Sequence, residues 1–129
     1  MLALALVVAA TAPPALPRIH EPFTPLPCPK HQVSTLDMEG CAERDILRTD
    51  ATVVKRERAA FALLSLDGKR AFVQAERAWL AYRKATCEAE ASRYIGGTIH
   101  GVVVASCIAR ENRTHLAALS ALVRTLKQP

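Results

Sequence analysis

Apolar positions along the chain recur at steps of three and four in three separate stretches, the spacing that puts side chains on one face of an α-helix. Across residues 35–65 the stripe is Leu47, Val54, Phe61 and Leu64, and Asp50 and Glu57 fall on the same line. Ser34 or Thr35 is suited to cap this helix, while Asp37 and Glu39 suit the positive end of its dipole. Leu66-Asp67-Gly68-Lys69 then reads as a turn, with Gly68 ending the helix. Across residues 69–94, Phe72, Ala75, Trp79 and Tyr82 mark an apolar face, and Trp79 and Tyr82 are expected to anchor the core there. A second line, Glu76, Trp79, Arg83 and Cys87, runs beside it and puts Arg83 at the edge of that core. Gly96-Gly97 reads as a turn whose backbone needs positive φ. The third stretch follows Thr98. Its β-branched Val102-Val103-Val104 argues for helix only from about Ala105, beyond which Leu116, Leu119, Val123 and Leu126 form a clear stripe. These periods predict an all-α, three-helix domain over residues 34–129.

The N-terminal residues follow no such period. Residues 1–12 are apolar and uncharged, too short to span a bilayer, which takes about 20 residues. They match the apolar region of a secretory signal peptide, expected at residues 1–10 with cleavage after Ala10. Residues 11–33 then hold seven of the chain's eight prolines, which predicts an extended, polyproline-like arm acting as a plain tether. No cysteine follows the apolar run closely, so no lipid-anchor site is expected.

The four cysteines, Cys28, Cys41, Cys87 and Cys107, change the picture of so small a domain. An even count in a short exported chain reads as disulfides, and proximity favours Cys28–Cys41 and Cys87–Cys107, each worth about 3 kcal/mol by loop-closure entropy. The competing set, Cys28-x-x-His31 with Cys41, offers three metal ligands and lacks a fourth at compact spacing, so no metal is expected.

Charge is uneven: the formal net charge of +5 divides into +1 from Arg18, −3 over residues 21–50 and +7 over residues 51–129. The basic part suits an anionic envelope component. Nucleic acid is not expected, because no aromatic platform interleaves the cations and export removes the usual partner. Catalysis has no sequence support either. His20, His31, His100 and His115 are scattered, no nucleophile–base spacing stands out, and no phosphate-binding glycine loop is present. No catalytic residue and no cofactor are expected. Arg83, a charge at a core edge, needs a partner, and Asp50 on the first helix is the expected one.

The stretch from Ala75 to Arg83 followed by Cys87 (W-x-x-Y-R-x-x-x-C), then Gly96-Gly97-Thr98, Cys107 and Arg113-x-x-Leu116, with Cys41 and Asp50 upstream, resembles the LprI-type lysozyme-inhibitor N-terminal family over residues 28–126. The family usually has Gln where this chain has Glu76. The resemblance implies a small, exported, cysteine-bridged helical domain with no enzymatic activity. Its motif residues here are Asp50, Glu76, Trp79, Tyr82, Arg83, Gly96, Gly97 and Arg113. It also implies a lysozyme-type muramidase as partner, and because such an enzyme has two carboxylates in its cleft, the basic loop at 92–100 with Arg93, Thr98 and His100 is the candidate contact. The alternative partner is an anionic envelope component, met by a basic interaction protein without an enzyme target.

Overall fold

The computed structural model describes residues 12–129; the segment read as a signal peptide lies outside them. Three long helices follow an extended arm: α1 (Thr35–Leu63), α2 (Leu66–Ala91) and α3 (His100–Leu126), with a short 3-10 turn at Ser92–Tyr94. Among the described residues there is no strand. α3 lies between the other two, packing most extensively on α1 and also on α2. α1 and α3 run parallel, with α2 antiparallel to both. Ala60, Phe72 and Val123 accordingly share one apolar cluster, while Ile46, Ala105 and Ala109 share another.

Local chemistry sets the helix ends. Ser34 caps α1 through a reciprocal box: its hydroxyl accepts from the Asp37 amide at 3.1 Å, and the Asp37 carboxylate accepts from the Ser34 amide at 3.1 Å. The turn expected at residues 66–69 falls earlier, at Leu64 and Ser65. The Ser65 hydroxyl accepts from the Gly68 amide at 3.2 Å, so α2 has already begun and Gly68 lies inside its first turn. Gly96, with φ +82°, is the residue that needs glycine after α2. α3 begins at His100, five residues ahead of expectation. Val102 is buried and Val103 and Val104 half-buried, and this packing outweighs the weak helix propensity of β-branched residues.

The buried faces differ from those expected. On α1 the buried line is Glu43, Ile46, Asp50, Val53, Glu57 and Ala60. Asp50 and Glu57 belong to both lines, but the apolar positions slip by one residue, leaving Leu47 exposed and Val54 and Phe61 half-buried. On α2 the buried face is Phe72, Val73, Glu76, Arg83 and Cys87. Arg83 is therefore inside the core rather than at its edge. Tyr82 is 57% exposed, not a core anchor, because it is turned about 100° away from Arg83 around the helix. Trp79 is half-buried and packs against the Val53–Phe72–Val123 cluster.

The proline arm is extended, as expected, but it is not a plain tether. Leu16 and Ile19 pack on one apolar cluster and Phe23 on the other. The Leu26 amide donates to the buried Glu43 carboxylate at 2.7 Å. Where the arm crosses α1, a Cβ on Gly40 would lie 2.2 Å from the Pro27 carbonyl oxygen, so glycine is what permits the contact. Cys28 then bonds to Cys41, and Cys87 to Cys107. Both bonds take the thiols away from any metal.

Candidate functional site: a buried polar seam and a braced loop

Two polar layers join the helices. In the first, Arg83 of α2 donates to Asp50 of α1 at 3.0 Å, to the Asn112 side-chain oxygen of α3 at 2.8 Å and to Glu21 of the arm at 2.6 Å. Asn112, fully buried, donates in turn to Thr49 and Asp50, each at 2.8 Å. One guanidinium thus serves two carboxylates. Burial, then the neighbouring Glu21, raise the Asp50 pKa to about 6 against the lowering pull of Asn112 and Arg83.

The second layer lies toward the α1–α2 turn. Glu57 of α1, Glu76 of α2 and His115 of α3 bring one ligand-type atom each within 4.8 Å of one another. His115 meets Glu76 at 2.7 Å, and Trp79 stacks on the His115 ring at a centroid distance of 3.8 Å. Glu57, 1% exposed, has its pKa pushed up to about 8, first by burial and then by the facing Glu76 carboxyl group. At neutral pH Glu57 therefore carries a proton, which meets the charge deficit a cation would meet. Two carboxyl groups and an imidazole are a ligand set suited to zinc in chemistry; here Glu76 is tied to His115, while the buried Glu57 Oε1 has no hydrogen-bond partner among the described residues.

Most of these groups are buried and paired across the helices, Glu57 Oε1 apart. Of them, Asp50, Glu76, Trp79 and Arg83 carried a sequence signal. Glu21, Asn112 and His115 did not, although Asn112 occupies a step of the buried stripe Ala105, Ala109, Asn112, Leu119. Arg113 lies on the surface and pairs with Asp45 at 2.5 Å.

The exposed candidate is the loop after α2. The Cys87–Cys107 bond closes its base. Arg93 and Thr98 are exposed, Ile95 is 76% exposed, and the Arg93 guanidinium stands over the Tyr94 ring at 5.7 Å. His100 does not belong with them: it is half-buried as the first residue of α3, in a hollow shared with Phe23, Glu39 and Glu43. Gly97 tightens the loop by donating to the Tyr94 carbonyl at 2.9 Å.

Charge is sorted between the two ends of the bundle. At the loop end, Lys84 pairs with Glu88, Arg110 with Glu90, and Arg48 and Arg113 with Asp45, while the exposed Arg44 and Arg93 have no ion-pair partner among the described residues. At the α1–α2 turn end, among the described residues, the ion pair formed by an exposed cation is Arg70–Asp67.

Together these features define a small, disulfide-bonded, all-α domain with ionisable groups in its interior and a braced, exposed loop after α2. The family profile described as "Lysozyme inhibitor LprI" matches residues 28–119, and the chain belongs to that family. An uncharacterized protein of Rhizobium meliloti (strain 1021) is 28% identical over 95% of this chain and 94% of its own length. No solved structure matches the chain.

Proposed function

We propose that this protein is an exported inhibitor of a lysozyme-type muramidase, and that the loop Arg93–Gly97 is the part that meets the enzyme. Membership of the LprI family carries the reading. The chemistry of the loop supports it. A muramidase cleft holds two carboxyl groups. Arg93 offers an exposed guanidinium to a carboxylate, and Ile95 and Tyr94 offer apolar contact beside it. The disulfide at the loop's base limits the conformational entropy lost on binding.

A net charge of +5 favours an acidic enzyme over a basic one, through long-range repulsion. Six exposed cations without an ion-pair partner among the described residues, Lys55, Arg56, Arg58, Arg77, Arg124 and Lys127, lie on the far halves of helices roughly 40 Å long, more than a Debye length from the loop at physiological salt, whereas Arg44 and Arg93 are unpaired on the loop side. That distance weakens the objection to a basic muramidase. Export to the periplasm or outside the cell is part of the proposal. Two disulfides persist in oxidising compartments, and no helix among the described residues is long and apolar enough to cross a membrane.

The test is lysis of a cell-wall substrate by a panel of acidic and basic muramidases, with and without purified protein, at low and moderate salt. At least one enzyme is expected to be inhibited. Arg93→Ala and Ile95→Ser should each weaken inhibition by roughly tenfold or more while leaving thermal stability unchanged. If no member of the panel is inhibited, the reading is wrong, and an envelope interaction protein without an enzyme target takes its place.

A further inference from the structure

The opposite end of the bundle carries an independent signal. Because α2 runs against α1 and α3, the second half of α1, the first half of α2 and the second half of α3 meet at the Leu64–Ser65 connection. Lys55, Arg56, Arg58, Arg77, Arg124 and Lys127 are all exposed there, and among the described residues none of them has an ion-pair partner. The four carboxyl side chains that the same half of the helices supplies do not offset them, Asp50 being tied to Arg83. Glu57 and Glu76 are buried, and Asp67 is taken by Arg70 at 3.2 Å. Self-repulsion among unpaired like charges is a cost to the folded state, relieved by an anionic partner.

The tip of this end is apolar as well as ringed by cations. Leu63, the last residue of α1, is 43% exposed, and Leu66, the first of α2, is 54% exposed. The described chain also begins at this end, where Ala12–Ala15 line a shallow cavity with Arg70, Val73, Gln74 and Arg77.

We infer that this end docks on an anionic phospholipid surface, the cations meeting headgroup phosphates and Leu63 and Leu66 entering the interfacial region. A soluble anionic polymer would satisfy the cations but leave both leucines in water, so the bilayer is the partner that uses every feature of the tip. Docked this way, the protein stands with its braced loop pointing away from the membrane. The inference does not depend on muramidase inhibition.

Flotation of the full chain with vesicles of phosphatidylglycerol mixed with phosphatidylcholine tests it, with pure phosphatidylcholine vesicles and inorganic polyphosphate alongside. Binding to the anionic vesicles is expected, weakening as salt rises, with little binding to the neutral ones. The double variants Leu63→Ser/Leu66→Ser and Lys55→Glu/Arg58→Glu alter exposed positions, and circular dichroism and thermal melting check that they fold. Each should reduce vesicle binding about tenfold or more. They keep the same N-terminus, so a loss of binding reports this end and not residues 1–11. Arg93→Ala should bind vesicles as the parent does. Equal binding to neutral vesicles, no effect of the leucine variant, or polyphosphate binding as tight as vesicle binding would overturn the inference.

Discussion

Arg83 meets Glu21, Asp50 and Asn112 through one guanidinium, so the arm and all three helices converge on a single side chain. Removing it would leave the Glu21 carboxyl group and the Asn112 amide oxygen without this donor and Asp50 with Asn112 alone. Breaking a buried pair in this way typically costs about 3–5 kcal/mol. Arg83→Ala is therefore expected to lower the melting temperature severely, and Asp50→Ala should add little on top of it. Lysine at position 83 should rescue only in part, since an ammonium cannot reproduce the flat fork that reaches several acceptors. Thermal melts of the single and double variants give the coupling; fully additive shifts would contradict the shared network. The pairing of Arg83 with Asp50 was legible because both residues sit on helical stripes that otherwise run apolar. Glu21 was not, because an arm without periodicity gives no sign of which side chain turns inward.

At the scale of elements, the arm behaves as a strap. Glu21, the Leu26 amide, Cys28 and the Gly40 crossing hold it along the helices. Gly40→Ala would put a methyl group against the Pro27 and Leu26 carbonyl oxygens, backbone atoms that cannot rotate aside. The expected result is a loss of roughly 1–3 kcal/mol and a displaced strap. Limited trypsin digestion reads the displacement, as faster cleavage after the exposed Arg18. An unchanged cleavage rate with unchanged stability would show that the crossing is looser than described. Proline content announced an extended segment, since it restricts φ and removes donors. It carried no information about docking, which depends on grooves that exist only once α1 and α3 have packed.

For the whole molecule, the buried acids set the direction in which stability follows pH. Glu57 titrates near 8 in the folded protein and near 4.3 when unfolded, so between those values the native state binds more protons. Stability contributed by this group is therefore present at low pH and lost as pH rises through that window. Asp50, raised to about 6, acts in the same direction over its lower part. Asp45, held low because Arg113 and Arg48 outweigh its burial, acts the other way, as does the exposed Asp37 bonded to the Val33 amide, but only below about pH 4. Stability, read as the melting temperature, is expected to be highest near about pH 4 and to fall toward about pH 8, each group contributing a slope below about 1.4 kcal/mol per pH unit. Glu57→Gln should remove most of the fall above about pH 6. A native melting temperature that rises across that range, with Glu57→Gln changing nothing, would refute the assignment.

The sequence alone determined the three helices, the bridged cysteines, the need for a bend at Gly96 and the family, because helical period, cysteine number and an ordered motif are local or one-dimensional signals. It placed Asp50 and Glu57 on the buried line of α1, yet their apolar neighbours could have been Leu47, Val54 and Phe61 or Ile46, Val53 and Ala60. Only packing chose the second set, by rotating α1 until both acids faced Arg83, Asn112, Glu76 and His115 on the other helices. The same rotation logic on α2 buried Glu76 and Arg83 and turned Tyr82 out to water. Charge was decided at the same level. Along the chain it runs from acidic to basic, whereas the antiparallel turn of α2 folds it into a loop end where most helix cations are paired and an opposite end where six exposed cations have no ion-pair partner among the described residues. A linear order cannot show which residues share an end, and here that arrangement is what separates the two candidate binding surfaces.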